Sequence, residues 1–509
     1  MTFMSVFSPL QRLRYWAAAV LLPALLCACS SDGSDMNMEE PQIASSNQYI
    51  NLNIVVSSGT EGTMRGPAGG ENGDGREAGS ERENAVTGVT VMLYKDDAGI
   101  NTSAETTLAF IKYYPVSLVS RQTAGTPYGD TKTDEAVYTT GDQPLAGSGL
   151  DMSESYHAIV VANLNMTAAF TTASKVKTVR DYVTTHIYNG TGIGADASHF
   201  VMSLETDYTV NFASPSSMTT TGNKITYVFD GIRIERLAAR VDFWTNHAEY
   251  GTKDGSDNAY LAPGYVYPVW KSSDTDTPTS TDKFVLTAVT PFNLYTDGEY
   301  LFKRTNDAAP YLADETTANY VIDPRTDGKT TVSPDYYQNT LAAMVALETS
   351  EQSLSDATGY FQSASALHGS TTQKAGFTAD AGKDNFILAY PKENTLSTSS
   401  PLYYYATGVA IEGDYYPSGS AADPSAVKHL VYYGYLRHQG EGGSTIHRIS
   451  PKDDLSTTAT YPSSTPMNFG VVRNNIYRIS IDRVDEKRNM EINIKVKKWD
   501  TFTHSTIYM

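Results

Sequence analysis

The sequence predicts an all-β protein built of β-sandwiches with few short helices, and three observations predict it. Apolar and polar residues alternate in many short runs, Gly, Asn, Asp and Ser separate those runs, and only two stretches carry helical spacing. Composition agrees: Tyr 35 against Phe 16, in a chain rich in Thr and Ser, suits strands with one wet face. The chain has 509 residues, of which 40% are hydrophobic and 19% charged. That is material for about two to four domains and too little charge for coiled coils. A formal net charge of -19 leaves no basic surface for phosphate, so nucleic acid is excluded as a partner and anionic membrane surfaces repel the chain.

Taken in order, the first element is a targeting segment. Arg12 and Arg14 precede an apolar run, Tyr15 to Leu26, that ends in Cys27, Ala28 and Cys29. A basic start, a short apolar middle and small residues at the end describe a secretory signal over 1–28. The run is too short for a permanent span, which takes about 20 residues. Leu26-Cys27-Ala28-Cys29 resembles a bacterial lipobox, which makes Cys29 the lipidated first residue of the mature chain. With both cysteines so used, none is left for a disulfide, a zinc site or a thiol nucleophile. Loss of Arg12 and Arg14 takes the charge from -19 to -21. Ser30 to Asn47 is polar and acidic, the composition of a flexible tether.

Residues 48–57 (QYINLNIVVS) place Ile50, Leu52, Ile54 and Val56 on one face and Tyr49, Asn51 and Asn53 on the other, the period-2 pattern of a half-buried strand. Residues 57–83 have no periodicity and much Gly and charge, which predicts an exposed, mobile loop. Further strands are expected at 86–94, 156–164, 224–243, 283–295, 385–390, 402–413, 427–438, 474–484 and 491–499. Helical spacing is confined to Val176, Val179, Tyr182 and Val183 and to Leu341, Met344 and Val345. The polar stretch 245–281 is the natural place for a domain boundary or a large loop.

Catalytic and ligand patterns are weak. His429, His438 and His447 recur nine apart, and partly exposed strand positions explain them better than a metal site does. GPAGGENGDG (66–75) and GTGIG (190–194) lack the strand–helix context of a dinucleotide loop. Asp254 and Asp257, like Asp274 and Asp276, do not follow a calcium-loop pattern. There is no HExxH or GxSxG. No catalytic residue, metal ligand or cofactor is assigned.

One arrangement concerns strand pairing. The strand at 48–57 lies directly behind the tether and is followed by Arg65, Arg76 and Arg82. If it completes a sandwich, cutting the following loop makes it removable, and its loss opens an apolar groove suited to another extended segment. Burial of Ile50, Leu52, Ile54 and Val56 is worth roughly 6–12 kcal/mol before ordering costs. On the residues alone, a permanent edge strand with a floppy hairpin loop is the favoured reading.

Several segments, in order, resemble a Bacteroidetes fimbrillin, the pilin of protease-assembled type V pili. They are the lipobox at Cys29, INLNIVV with its Arg-containing loop and VTVMLY, AIVVANLN (158–165), IRIERLAARVDF (232–243), AYPKENT (389–395), VKHLVYYGYL (427–436), and VVRNNIYRISI (471–481) followed by INIKVKKWD (492–500). Arg473, Asn474, Tyr477 and Trp499 carry the most specific part, and Arg236, Arg240 and Asp242 fit either an interdomain ion-pair network or a solvated face.

The resemblance implies two tandem transthyretin-like β-sandwich domains, at 66–245 and 246–509, behind a lipidated tether and removable strand at 29–65. It implies a lipoprotein precursor in the outer membrane, cleavage by an Arg-specific protease, and refilling of the groove by another fimbrial subunit. The product is a surface fimbria that supports adhesion to a host or bacterial receptor. Arg65 is the expected cleavage residue, with Arg76 and Arg82 as fallbacks. The donor is expected within 491–509, with Ile492, Ile494, Val496, Phe502 and Tyr508 as its plugs. A tip adhesin, an anchor subunit, and a glycan-binding or glycan-degrading surface lipoprotein are the rival readings. Cleavage after Arg65 would leave about -17 on each subunit, because 29–65 carry Asp32, Asp35, Glu39, Glu40 and Glu61 against one arginine.

Overall fold

A computed structural model describes the chain from Ala44 to Asp500, apart from residues 57–75, 96–98, 124–133, 193, 252–263, 314–319, 324, 327–328, 330, 350–361, 371–383, 397–402, 419–423, 439–444 and 450–469. All of the described residues belong to one compact unit, Gln42–Met509.

The first half contains β1 (Gln48–Val56), β2 (Arg76–Ala78), helix α1 (Glu81–Asn84), β3 (Gly88–Tyr94), β4 (Leu108–Pro115), β5 (Ser117–Thr123) and β6 (Asp134–Thr139). β7 (Gln143–Pro144), β8 (Ser155–Ala162), α2 (Val176–Arg180), β9 (Val183–Thr184), β10 (Met202–Leu204), β11 (Tyr208–Asn211), β12 (Ser217–Thr221) and β13 (Lys224–Arg236) follow. Eleven of these strands form one sheet with the path β4-β3-β8-β10-β13-β1-β6-β5. Ile54 and Val56 of β1, Val91 and Leu93 of β3, and Ile159 and Val161 of β8 share one apolar cluster, so the sheet folds face onto face as a sandwich does.

The second half comprises β14 (Arg240–Trp244), β15 (Glu249–Gly251), β16 (Gly264–Trp270), β17 (Lys283–Phe292), β18 (Leu294–Tyr295), β19 (Glu299–Tyr300), β20 (Tyr337–Gln338), α3 (Leu341–Thr349), β21 (Gln362–Ser363), α4 (Ala364–Gly369) and β22 (Asn385–Ala389). It ends with β23 (Asn394–Thr395), β24 (Gly408–Tyr416), β25 (Lys428–Tyr435), β26 (Thr445–Ile449), β27 (Gly470–Val471), β28 (Asn475–Asp485) and β29 (Met490–Asp500). Its twelve-stranded sheet runs β2-β29-β28-β16-β17-β24-β25, with β14 parallel to β28 and β26 antiparallel to β29. A second apolar cluster lies under it, with Phe243, Phe284, Tyr432, Ile479 and Ile492 among its members. The protein is therefore all-β, and the four α-helices among the described residues are short.

Several expectations need correction. The strand read over 402–413 begins only at Gly408, after a 3-10 turn at Tyr403–Tyr405. That over 283–295 breaks at Asn293, whose φ is 52. The helical spacing that starts at Val176 ends at Arg180, so that Val183 lies in β9. The strand read as continuous over 224–243 is broken at Leu237–Ala239, where the chain passes from the first sheet to the second. Those residues are fully buried; the backbone N–H of Leu237 still donates to Val201 O beside the first sheet at 3.0 Å, whereas that of Ala239 donates to Pro391 O beside the second at 2.9 Å. The small alanines let the chain cross between two cores. The loop read over 57–83 also gains structure at its end, because β2 pairs in parallel with β29 and α1 follows. Ser80 and Glu83 form a reciprocal capping box, which starts so short a helix.

A polar seam joins the two sheets. Arg240, buried, holds both carboxylate oxygens of Asp242 at 2.8 and 2.7 Å and reaches Glu83 at 3.3 Å. Arg478 adds a contact to Asp242 at 3.3 Å, and Tyr390 OH donates to Glu83 at 2.7 Å. Burial pushes the Asp242 carboxyl up, but Arg240 and Arg478 override it and hold the group below the usual carboxylate range. Arg236 donates to Glu83 O at 3.1 Å, Asn474 Oδ1 at 2.9 Å and Trp499 O at 3.2 Å, and to Asn84 Oδ1. Its guanidinium lies 4.6 Å from the Trp499 ring centroid. Of the two readings of Arg236, Arg240 and Asp242, the ion-pair network holds and the solvated face does not.

Further along the seam, Arg473 contacts Glu299 at 2.9 Å and Glu393 at 3.1 Å, while Arg325 contacts Asp323 at 2.7 Å and Glu299 at 3.8 Å. Burial raises the Glu299 carboxyl to about 7; Arg325 and Arg473 oppose the rise, and Glu393 and Asp323 add to it. Its ordinary value is 4.5, so the folded protein holds a proton that the unfolded chain has lost. The stabilising contribution is full below that value and disappears as pH rises through about 7. Urea unfolding between pH 5 and pH 8 should show stability falling across this window, and Glu299→Gln should flatten the fall.

Candidate functional site

β1 is an internal strand. It runs parallel to β13 from Gln48↔Ile225 to Val56↔Ile234, and antiparallel to β6 from Asn53↔Thr139 to Val56↔Ala136 and to β7 at Tyr49 and Ile50. The edge-strand alternative is thereby removed. Ile50, Leu52, Ile54 and Val56 are 2%, 1%, 0% and 0% exposed, so the alternation in the sequence converts directly into four filled positions of the core.

The opposite face is polar and specific. Thr139 Oγ1 donates to Asn51 Oδ1 at 2.6 Å, and Asn51 Nδ2 donates to Asp142 Oδ1 at 3.2 Å. Asn53 Nδ2 donates to Asp230 Oδ1 at 2.6 Å, where the pairing with β13 shifts register between Leu52 and Ile54. Gly231 turns that bulge with φ +78, a left-handed angle that suits glycine. Among the described residues β6 has only β1 and β5 as sheet neighbours, so the β5–β6 hairpin is joined to the rest of the sheet through β1. Removal of β1 would open a slot bordered by β13 on one side and by β6 and β7 on the other.

The candidate cleavage residues fall in three settings. Arg65, like the lipidation candidate Cys29, lies outside the described residues. Arg76 has its backbone in the parallel ladder opposite Lys498. Arg82 sits in α1, and its guanidinium donates to Asp196 O at 2.5 Å. A protease needs an extended, unpaired substrate, and neither Arg76 nor Arg82 offers one here.

The donor candidates divide similarly. Phe502 and Tyr508 lie outside the described residues. Ile492, Ile494 and Val496 are 0%, 1% and 5% exposed within β29. Ile492 pairs with Ile481 of β28 and His447 of β26, and Ile494 pairs with Ile479 and Thr445. These three form the second core of their own chain and are not a free arm, because both ladders and the apolar cluster would have to break to release them. Of the three evenly spaced histidines, His429 lies between Glu412 and Asp414 at 3.0 Å each, and buried His438 meets Tyr477 OH at 2.6 Å. The side chain of His447 is outside the described set.

The segment β2–α1 reads as loop in the sequence but is ordered and partly buried in the fold. Glu83 and Asn84 are 1% and 5% exposed and bind the seam described above. The signal was present as Ser80-Glu81-Arg82-Glu83, a Ser-x-x-Glu capping pattern.

No protein-family model matches the chain, and no curated protein does. Among solved structures it is similar to fimbrial and candidate cell-adhesion proteins of the Bacteroidetes. A candidate cell-adhesion protein of Parabacteroides distasonis is 12% identical, with 90% of this chain and 99% of that one covered and a TM-score of 0.40. The tip fimbrial protein Mfa3 of Porphyromonas gingivalis, truncated at its C-terminus, is 10% identical, with 89% and 99% covered and a TM-score of 0.37. The fimbrilin FimA of Porphyromonas gingivalis is 12% identical, with 90% and 99% covered and a TM-score of 0.35. Among the described residues no helix is long and apolar enough to cross a membrane.

Proposed function

We propose that this chain is a structural subunit of a cell-surface fimbria, exported as a lipoprotein on Cys29 and assembled when an Arg-specific protease frees β1 and a strand of another subunit replaces it. The observation that carries the reading is the placement of β1. The first strand behind the tether is also an internal strand with four buried aliphatic side chains, and its loss would leave unpaired backbone on both sides of an apolar slot.

The chain between β1 and β2 supports Arg65 as the cut. It is the only arginine in residues 57–75, and there is no lysine among them. A cut there leaves β2 and α1 paired with β29 and the seam, so the subunit keeps its new N-terminal region in place. The donor is assigned to residues beyond Asp500. Burial of Ile492, Ile494 and Val496 also favours a second reading, an accessory or tip subunit that accepts a strand and does not donate one. No catalytic residue is assigned.

The test treats the purified precursor, lacking the lipidated cysteine, with an Arg-specific protease. The product should begin at Gly66 by N-terminal sequencing and form detergent-resistant ladders. Arg65→Ala should block both. Cleavage after Arg76 or Arg82 in the wild type would refute Arg65 as the switch.

A further inference from the structure

We propose that a cavity of about 250 Å³ at the junction of the two sheets binds one ring of a neutral saccharide. Its wall comes from both halves of the chain: His186 and Tyr188 follow β9, Tyr295 ends β18, Gln338 ends β20, and Tyr390 and Lys392 follow β22. The strand-replacement slot at β1 is separate from it.

The chemistry of the wall removes the charged ligand classes. Among the described residues no Asp, Glu or Cys lines the cavity, so there is no carboxylate or thiolate set for a cation. Among the described lining residues Lys392 is the only lysine or arginine, and Nζ donates to Thr185 O, Thr296 O and Asp297 O at 3.1, 3.0 and 2.8 Å. An ammonium has three protons, so none is left for a phosphate or a carboxylate.

What remains favours an uncharged polyol with one apolar face. Gln338 is half-buried, and its side-chain amide, donor and acceptor in one group, has no hydrogen bond to another described residue. The His186 ring is exposed and shares Nε2 with Asn189 Oδ1 at 3.0 Å. Tyr295 is braced by the Arg325 guanidinium 4.3 Å from its centroid, and the next ring, Tyr336, lies 6.4 Å away. Tyr336 and Tyr404 are 45% and 43% exposed, and they are the only aromatic members of the exposed large apolar side chains among the described residues. Both belong to the tyrosine cluster that starts at Tyr295, through Tyr337 and Tyr405 at successive centroid distances of 5.2, 4.8 and 4.5 Å. Exposed rings beside a small polar cavity match the C–H face and the hydroxyl rim of a pyranose. The volume lies below the roughly 300–1,000 Å³ taken by drug-sized ligands, so one ring enters and the following rings of an oligosaccharide cross the exposed tyrosines.

The experiment is saturation-transfer NMR with titration calorimetry on the purified chain, using neutral hexose-terminated oligosaccharides and a sialylated set. The expected result is saturation concentrated on one terminal ring of a neutral ligand, with the sialylated set weaker. Gln338→Ala and Tyr336→Ala should each weaken binding about fivefold or more with an unchanged unfolding midpoint. Met218→Ala, an exposed site on β12, should leave binding unchanged. Absence of transfer from every neutral saccharide, or binding that survives both substitutions, overturns the proposal. The site does not depend on strand replacement, so failure of cleavage at Arg65 leaves it untouched.

Discussion

Leu52→Ala is expected to cost the uncut precursor about 2–5 kcal/mol of stability, the range for a large aliphatic deleted from a packed core. Leu52 is 1% exposed, and its neighbours on the same face, Ile50 and Ile54, are 2% and 0% exposed, so the vacated space is walled by packed side chains that have little room to collapse. Asn51→Ala, on the half-buried polar face, loses the Thr139 and Asp142 contacts and should cost only about 1 kcal/mol. The distinctive consequence concerns the assembled state. If β1 leaves on cleavage, Leu52→Ala destabilises the precursor in urea and leaves the stability of the fibre unchanged. Equal destabilisation of both would mean that β1 stays in place.

Asp242→Ala should be comparably severe, at about 3–5 kcal/mol, because it strands buried positive charge. Arg240 and Arg478 both face the Asp242 carboxylate, and both are only 2% exposed at the side chain, so neither can turn to water without breaking the junction of the sheets. Glu83 would remain as a partner of Arg240 at 3.3 Å, yet it is already committed to Tyr390 OH. The comparison is Lys177→Ala, which removes an exposed pair with Asp181 on α2 and should change stability by about 1 kcal/mol or less. Because the Asp242 carboxyl is held below its ordinary value, its contribution is present above about pH 4 and is lost as pH falls further, opposite in sign to that of Glu299. A denaturation midpoint for Asp242→Ala close to that of the wild type would show that the seam does not hold the sheets together.

Period-2 patterning made the strands legible. QYINLNIVV alternates cleanly because β1 has one face on the core and one against polar neighbours, and the local pattern records both. Its position inside the sheet was not legible. An internal strand and an edge strand share the same alternation, and the partners of β1 lie about 80 to 180 residues away in sequence. The long run 224–243 misled for a related reason: Leu237, Ala238 and Ala239 continue the apolar character while the hydrogen-bond partners change from one sheet to the other. Charge misled near Glu83. A segment rich in Gly, Glu and Arg reads as solvated loop, and only the buried guanidiniums of Arg236 and Arg240, which the fold brings over, make its burial tolerable.

The candidate site was legible in part. Four alternating aliphatics and a following arginine are sequence features, whereas the register bulge at Asn53 and Asp230 and the dependence of the β5–β6 hairpin on β1 are products of topology. The donor residues show the limit most clearly. Ile492, Ile494 and Val496 have the pattern any plug would have, and the same pattern serves a core strand, so only the ladders to β28 and β26 distinguish the two. Motif asparagines behaved likewise: Asn474 stands out in the sequence, but its left-handed φ of 58 and its bond to Arg236 come from the tertiary structure.

The measurement closest to the central claim is the intact mass of the subunits in the detergent-resistant ladder formed after Arg-specific cleavage. One species that begins at Gly66 is expected, with the fragment ending at Arg65, and β1 within it, recovered in the unassembled fraction. A ladder whose subunits still carry β1, covalently or as a bound fragment, would contradict it.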